Sequence, residues 1–166
     1  MHHRDPTQRS GGTTFFPTNA AFRRLGERVN EFLFSDQGRD CLVSLIGYHV
    51  VVNTTLYSDV LYTKGKIRGL LGKEREELGH AVVELKSVGG KVRVDVRSGE
   101  MRVDGFGRVV GELVGRDGSV FVLDRVLVPP RKVKGNGKDV EGEDEELMVE
   151  ELVERLGCVG KGRGEL

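Results

Sequence analysis

The length, composition and charge of the chain exclude several classes of protein. At 166 residues it can hold one domain with its own core, because single cores are usual between about 100 and 200 residues. The 26 basic and 26 acidic residues cancel, so the positive field of a nucleic-acid-binding protein is absent and we expect no nucleic acid partner. No apolar run approaches the roughly 20 residues that span a bilayer, and residues 1 to 12 are too polar for a signal peptide. We therefore expect no membrane insertion by this chain and no export signal within it as it stands.

The first part of the chain has the pattern of a short strand followed by three helices. Thr13 to Phe16 is rich in β-forming residues, Pro17 ends the segment, and Thr18 or Asn19 can cap the helix that follows. Apolar residues then recur at helical spacing, and the third helix runs from about residue 36 to 47. The stripes of these helices predict a shared core that contains Phe22, Leu25, Val29, Phe32, Leu33, Cys41, Leu42, Leu45 and Ile46.

The second part of the chain has the two-residue period of strands. Tyr48 to Val52 is β-branched enough to form a strand after the third helix. In residues 91 to 103 valines alternate with charged residues around a Ser98-Gly99 turn, which predicts a hairpin with one solvated face. Two more strands flank Asp117-Gly118, and Pro129-Pro130 closes the sheet because proline cannot donate to a strand partner. Helices before strands predict an α+β domain with a mainly antiparallel sheet or sandwich.

The C-terminal part differs in composition from the sheet region. Residues 131 to 146 form a charged linker, basic first and then acidic, and residues 147 to 157 carry apolar positions at helical spacing. Cys41 lies in an apolar helical stripe and Cys158 in a glycine-rich tail, which is neither a metal-ligand spacing nor a disulfide framework. We expect a buried free thiol at Cys41, with a bridge to Cys158 as the alternative.

Three segments, in the same order as in the family, resemble the signatures of the fasciclin-type domain. They read TTFFPTNAAFRRL, YHVVVNTTLYSDVL and DGSVFVLDRVLVPP, and they place the domain at residues 13 to 130. The resemblance implies a wedge-shaped β-sandwich flanked by helices, in proteins that are usually secreted or held at the cell surface. Two further phrases, RRLGERVNEFLFSDQG and EELMVEELVERL, are most similar to the single-domain fasciclin-type proteins of filamentous fungi.

The sequence departs from the family pattern in three places. Phe16 replaces the alanine that is usual before the proline, and Phe121 stands where a histidine is common. The helices that normally precede the first signature are not found before Thr13, as in a truncated gene model. We expect the absence of these helices to leave apolar surface exposed.

His49 beside Tyr48 raises the question of a catalytic site. A general base needs a nucleophile and an orienting carboxylate within reach, but the sequence has no nucleophile elbow, metal-ligand spacing or phosphate-binding loop. We expect no enzyme, no cofactor and no metal. We expect His49 to be structural, at a helix-to-strand junction, and bonded to the first signature around Thr18 and Asn19, with Asn19 as the preferred partner. Recognition by Tyr48 and His49 is the alternative.

The loop after the strand is the candidate contact surface. It contains an N-T-T glycan acceptor, and its residues are Asn53, Thr54, Thr55, Leu56, Tyr57, Ser58 and Asp59. The resemblance implies a non-enzymatic module of cell adhesion or of matrix or cell-wall contact. The N-T-T triplet makes Asn53 a candidate for glycosylation in a secreted full-length form, which would then be a glycoprotein. Its partner is then a cell-surface, matrix or wall component, or a second copy, and its place is extracellular or at the cell surface. The alternatives are an intracellular or vacuolar scaffold and a truncated paralogue without a ligand.

Overall fold

Seven strands and four helices make up the described part of the chain, which in this computed structural model comprises residues 11–57, 80–97, 99–131 and 147–158. In chain order they are β1 Gly12–Pro17, α1 Asn19–Arg23, α2 Glu27–Leu33, α3 Arg39–Tyr48, β2 Val50–Val52, β3 His80–Lys86, β4 Lys91–Arg97, β5 Glu100–Val103, β6 Gly107–Gly115, β7 Gly118–Leu123 and α4 Val149–Leu156. Ser98, the acidic block 141–146 and most of the charged linker lie outside the described residues.

The strands form one nearly closed sheet in the order β2-β1-β7-β6-β5-β4-β3. β1 and β7 are parallel, and every other neighbouring pair is antiparallel. The turn after β3 closes the gap between the two end strands: the Val88 amide donates to the Val50 carbonyl of β2 at 2.8 Å, and the Gly89 amide donates to the Gly47 carbonyl of α3 at 3.2 Å. The predicted α+β class with a mainly antiparallel sheet is confirmed.

The inner face of the sheet encloses one apolar core. Val92, Val94 and Val96 of β4 point inward while their neighbours are exposed or half-buried, so the predicted hairpin with one solvated face is confirmed. Phe121 is fully buried and stacks on Phe15, with ring centroids 5.8 Å apart. An aromatic pair of this kind contributes roughly 0.5–1.5 kcal/mol beyond its burial.

The helices enclose a second core beside the sheet. Its buried residues include Val29, Leu33 and Leu45, and Leu152 of α4 joins them with no exposed surface. α4 is amphipathic because its apolar residues recur at i, i+3 and i+4, so the predicted C-terminal helix is confirmed at slightly shorter bounds. None of the described helices has the length and apolarity that a membrane crossing requires.

Four details of the sequence prediction are wrong. Ile46 is half-exposed rather than in the core, because it lies one position, about 100°, around α3 from Leu45. Tyr48 is the last residue of α3 rather than the first of a strand. His49 still has helical backbone angles, so the strand begins only at Val50. The strand β3 was not predicted. The last strand ends at Leu123, well before the two prolines.

The outer face of the sheet is apolar on β2, β1, β7 and β6. Phe16, Val52 and Leu113 are each more than half exposed, and the half-buried Val120 lies next to Leu113 in the register. We define this surface as the apolar face.

The two cysteines form a disulfide, so the expected free thiol at Cys41 is wrong. The sulfur atoms are 2.08 Å apart and the Cα atoms 5.1 Å apart, at a sequence separation of 117. The bridge forms because α4 packs against α3 and brings the end of the chain back to the helical core. Spacing along the sequence carries no sign of this contact.

Removal of the disulfide should lower the free energy of unfolding. A bridge that closes a loop of this length is expected to contribute about 3–5 kcal/mol. Urea unfolding of the native protein with and without a reductant measures the change. The reduced wild type and the Cys41→Ala/Cys158→Ala variant, measured without reductant, should have the same midpoint. An unchanged midpoint of the wild type in reductant would contradict the prediction.

Candidate functional site

His49 lies where α3 ends and β2 begins, as the sequence predicts. Its backbone amide donates to the Ile46 carbonyl, and its carbonyl accepts from the Phe15 amide of β1, each at 2.9 Å. The side chain is only 4% exposed. The backbone of His49 alone therefore links α3 to β1.

Both ring nitrogens of His49 have partners, and the partners fix the tautomer. Nδ1 lies 2.8 Å from the Leu45 carbonyl oxygen, and Nε2 lies 2.9 Å from the Leu127 amide nitrogen. A carbonyl only accepts and an amide only donates, so Nδ1 carries the hydrogen and Nε2 is the bare acceptor. Burial lowers the pKa of His49, against the opposing effect of the Leu45 carbonyl. The folded protein holds a neutral imidazole.

The preferred partner of His49, Asn19, is therefore wrong. Asn19 is the exposed first residue of α1, whereas the ring of His49 points to the segment after β7, which lies next to β1 in the sheet. The capping prediction is confirmed for Thr18, whose Oγ1 accepts from the Ala21 amide at 3.0 Å.

Tyr48 is fully buried and joins α3 to two turns of the sheet. Its hydroxyl lies 2.7 Å from Asp104 Oδ2 and 2.9 Å from the Lys91 carbonyl oxygen, to which it can also donate. A Cβ on Gly89 would stand 2.9 Å from the Tyr48 backbone nitrogen, so the β3–β4 turn approaches the tyrosine closely because it has no side chain there. Sequence reasoning missed this contact.

Asp104 holds the other side of the Tyr48 contact. It adopts a left-handed φ of 53°, and its Oδ1 accepts from the Arg93 amide at 2.8 Å. Burial raises the pKa of Asp104, against the opposing effect of the Arg93 amide and the Tyr48 hydroxyl. Burial and then the charge of Asp104 raise the pKa of Tyr48. The Asp104-Gly105 dipeptide is a turn signal, but nothing in the sequence connects it to Tyr48.

The Tyr48-His49 pair is arranged for structure rather than for chemistry on a substrate. The side chains are 1% and 4% exposed, and their polar atoms are occupied by main-chain groups and by Asp104. Across the described ranges, no group of His, Cys, Asp or Glu side chains is placed to hold a metal ion.

The candidate contact loop is held by a buried threonine that the sequence did not single out. Thr13 Oγ1 donates to the Thr54 carbonyl and accepts from the Leu56 amide, each at 2.8 Å, and it lies 3.3 Å from Ser119 Oγ. Leu56 is buried in the sheet core. The loop is thus anchored at its centre, and one of its predicted contact residues belongs to the core.

The accessible part of the contact loop is short. Asn53 and Thr54 are exposed, while Thr55 and Tyr57 are half-buried, and Ser58 and Asp59 lie outside the described residues. Asn53 has a φ of 61°, which asparagine adopts more readily than most residues. Its exposed amide is where a glycan would be attached.

Comparison with known proteins identifies the class. Residues 4–129 match the family model of the Fasciclin domain, and the chain belongs to this family. Domains of the family occur in adhesion proteins that are extracellular or at the cell surface. The order of the three signatures in the sequence had indicated the same family.

The individual proteins that match this chain are only distantly similar to it in sequence. The chain is 32% identical over 137 residues to Aurofusarin biosynthesis cluster protein S of Gibberella zeae, a match that covers 72% of this chain and 34% of that protein. It is 25% identical over 118 residues to Protein sll1483 of Synechocystis, covering 71% and 55%. A solved FAS1 domain pair from the insect cell adhesion molecule Fasciclin I matches with 18% identity and a TM-score of 0.49, over 71% of this chain and 37% of that one.

Acidification should destabilise the fold through His49. Because its pKa is lowered in the folded state, the unfolded chain alone binds this proton below about pH 6.5, and stability is lost as the pH falls from there to the folded pKa. The expected slope is at most about 1.4 kcal/mol per pH unit. Urea unfolding at intervals between pH 7.5 and 5 measures it.

The matched control for this prediction is His49→Gln, whose amide can both donate and accept but does not titrate. Asp104, with a raised pKa, contributes a slope of opposite sign, so the difference between wild type and variant is the relevant quantity. Equal pH profiles for the two proteins would contradict the role assigned to the neutral imidazole.

Proposed function

We propose that the chain is a non-enzymatic contact module that acts outside the cell, in adhesion or in contact with matrix or cell wall. One observation carries the proposal: the side chains best suited to chemistry, Tyr48 and His49, are buried and hydrogen-bonded within the protein. The loop after β2 instead presents Asn53 and Thr54 to solvent on an anchored backbone. Membership of a family found in adhesion proteins supports the same function.

Two features support an extracellular location. Disulfides persist in oxidising compartments and are rare in the cytosol of mesophiles, and Cys41 and Cys158 are joined in the folded chain. The glycan acceptor at Asn53 is exposed, as attachment in the secretory pathway requires.

The proposed partner is a surface, matrix or wall component, or a second copy of the chain. The apolar face supports the second copy, because large exposed apolar patches are usual at protein interfaces. Each such contact is local, since the balanced net charge provides no long-range attraction. Several copies on one surface would then bind with avidity, because after the first contact the others form at a high effective concentration.

A second candidate function is that of a scaffold for enzymes of a biosynthetic gene cluster. It is favoured by the 32% identity to a protein named for such a cluster. Localisation separates the two functions, because adhesion needs the domain outside the cell and a scaffold needs it beside the enzymes.

The exposed loop should be required for adhesion. Beads that carry many copies of the 166-residue chain are tested for binding to fungal cell-wall material and to intact cells. The variant Asn53→Gly/Thr54→Ser keeps the anchoring bonds of Thr13, because they use main-chain groups, and glycine accepts the φ of Asn53 without strain. We expect adhesion to fall about tenfold or more, as for loss of a central contact.

The control for the adhesion assay is Phe106→Ser. It changes an exposed residue in the turn between β5 and β6, which lies at the end of the strands opposite to the contact loop. Asn53→Gln, which removes the glycan acceptor alone, separates loop from glycan. Equal adhesion by the folded loop variant and the Phe106 control would overturn the loop assignment.

Asn53 should carry a glycan when the chain is produced through a secretory pathway. A glycosidase should then increase the gel mobility of the wild type and of Thr54→Ala, which keeps the N-X-T acceptor. Asn53→Gln and Thr55→Ala should show no change, because each destroys the acceptor. Identical mobility of all four secreted proteins before and after treatment would contradict the prediction.

A further inference from the structure

The outer face of β3, β4, β5 and the start of β6 carries an excess of positive charge. Side chains at alternate positions of these strands point away from the core, and the face has almost no apolar side chain, in contrast to the apolar face on the other half of the sheet. We define it as the basic face. Its cations are Lys86, Lys91, Arg93, Arg97, Arg102 and Arg108, and the acids between them are Glu84, Asp95 and Glu100.

The strand register places some of these cations directly opposite each other. Lys86 of β3 pairs with Lys91 of β4, and Arg102 of β5 pairs with Arg108 of β6. Like charges at directly opposed positions destabilise a sheet. A face selected only for stability would alternate charges throughout, as Glu84 and Arg93 do. Local departures from the stable pattern are characteristic of functional surfaces.

The guanidinium groups of the basic face have more N–H donors than their ion pairs use. Arg93, Arg97, Arg102 and Arg108 are each at least 50% exposed. Glu100 Oε1 serves two of them, at 3.4 Å from Arg102 and 3.9 Å from Arg108. Asp95 lies 3.4 Å from Arg97 and 4.0 Å from Arg93, and Asp124 lies 3.8 Å from Arg108. Each guanidinium has five N–H donors, so these few carboxylate contacts do not use all of them.

The interleaved acids indicate which kind of anion fits. Along duplex DNA the phosphates follow one another at about 1.7 Å of axis and the sugar-phosphate backbone offers no hydrogen-bond donor, so Asp95 and Glu100 would repel it. An acidic sugar chain carries carboxylates that lie further apart than these phosphates. Each carboxylate can accept two parallel N–H bonds from one arginine guanidinium. Its hydroxyl groups can donate to Glu84, Asp95 and Glu100. The acids then contribute to binding instead of opposing it.

We propose that the basic face binds an acidic polysaccharide of the polyuronate type. The strands β3 to β6 span about 14 Å at the usual strand spacing, which accommodates a short stretch of the sugar chain rather than one sugar. The inference rests on the proposed extracellular function, because that is where such polysaccharides are encountered. It names a partner and a surface that the contact loop does not share.

The experiment measures binding of the folded 166-residue chain to polygalacturonate by titration calorimetry at low salt. The test variant is Arg102→Gln/Arg108→Gln. The matched control is Arg23→Gln/Arg24→Gln, which removes the same charge from exposed positions at α1. We expect affinity to fall about tenfold or more for the test variant and to change little for the control. The wild-type affinity should decrease with salt, and the test variant should show the shallower dependence.

Three results would overturn the proposal. They are equal loss of affinity in the two variants, equal binding to an uncharged polysaccharide, and competition by duplex DNA as effective as by polygalacturonate at the same charge concentration. Because the assay uses purified protein and no cells, it can fail while the bead adhesion assay succeeds, and the reverse. Failure of the inference is thereby distinguished from failure of the proposed function.

Discussion

The hydrogen bonds of one neutral imidazole, that of His49, connect the sheet to the helices. His49 receives the Leu127 amide on one ring nitrogen and donates to Leu45 from the other, across sequence distances of 78 and 4 residues. A buried donor or acceptor without a partner costs roughly 1–3 kcal/mol, so a ring that is charged, or replaced by an apolar side chain, leaves at least one main-chain group unsatisfied. The bond from Phe15 to the His49 carbonyl adds β1 to the same junction. Helix α3, strand β1 and the segment after β7 thus meet at one residue.

On the other side of this junction, Tyr48 anchors α3 in the core of the sheet. α3 contributes Cys41 and Leu45 to the helical core, but Tyr48 belongs to the core of the sheet. Its ring stands at 90° to that of His49, so consecutive residues reach different parts of the molecule. The disulfide fixes the far side of the helical core through Cys41. The same helix is therefore held to the sheet at its end and to α4 near its start.

Local features of the fold could be predicted from the sequence, whereas contacts between distant segments could not. The Thr18 cap and the alternation of Val92, Val94 and Val96 follow from steric and hydrogen-bonding rules that act over a few residues. The period of the apolar residues indicates that a residue is buried but not which segment buries it, so the sequence did not identify Leu127 as the partner of His49. The disulfide was missed for the same reason. The family resemblance gave the class of fold, but Thr13 and Asp104 were found only from their hydrogen bonds.

The division of the sheet surface has consequences for how the domain would act. Because Tyr48 and His49 are buried in the interior, the recognition that we propose involves the loop and the two outer faces. Attraction at an apolar face arises from removal of water and is not weakened by moderate salt, whereas attraction at the basic face is screened within about 10 Å at 0.1 M salt. The two faces lie on one sheet whose strands are continuously hydrogen-bonded, so neither has to move for the other to be occupied. A protein-like partner on the apolar face and a sugar chain on the basic face could then be bound together, with ionic strength affecting only the second.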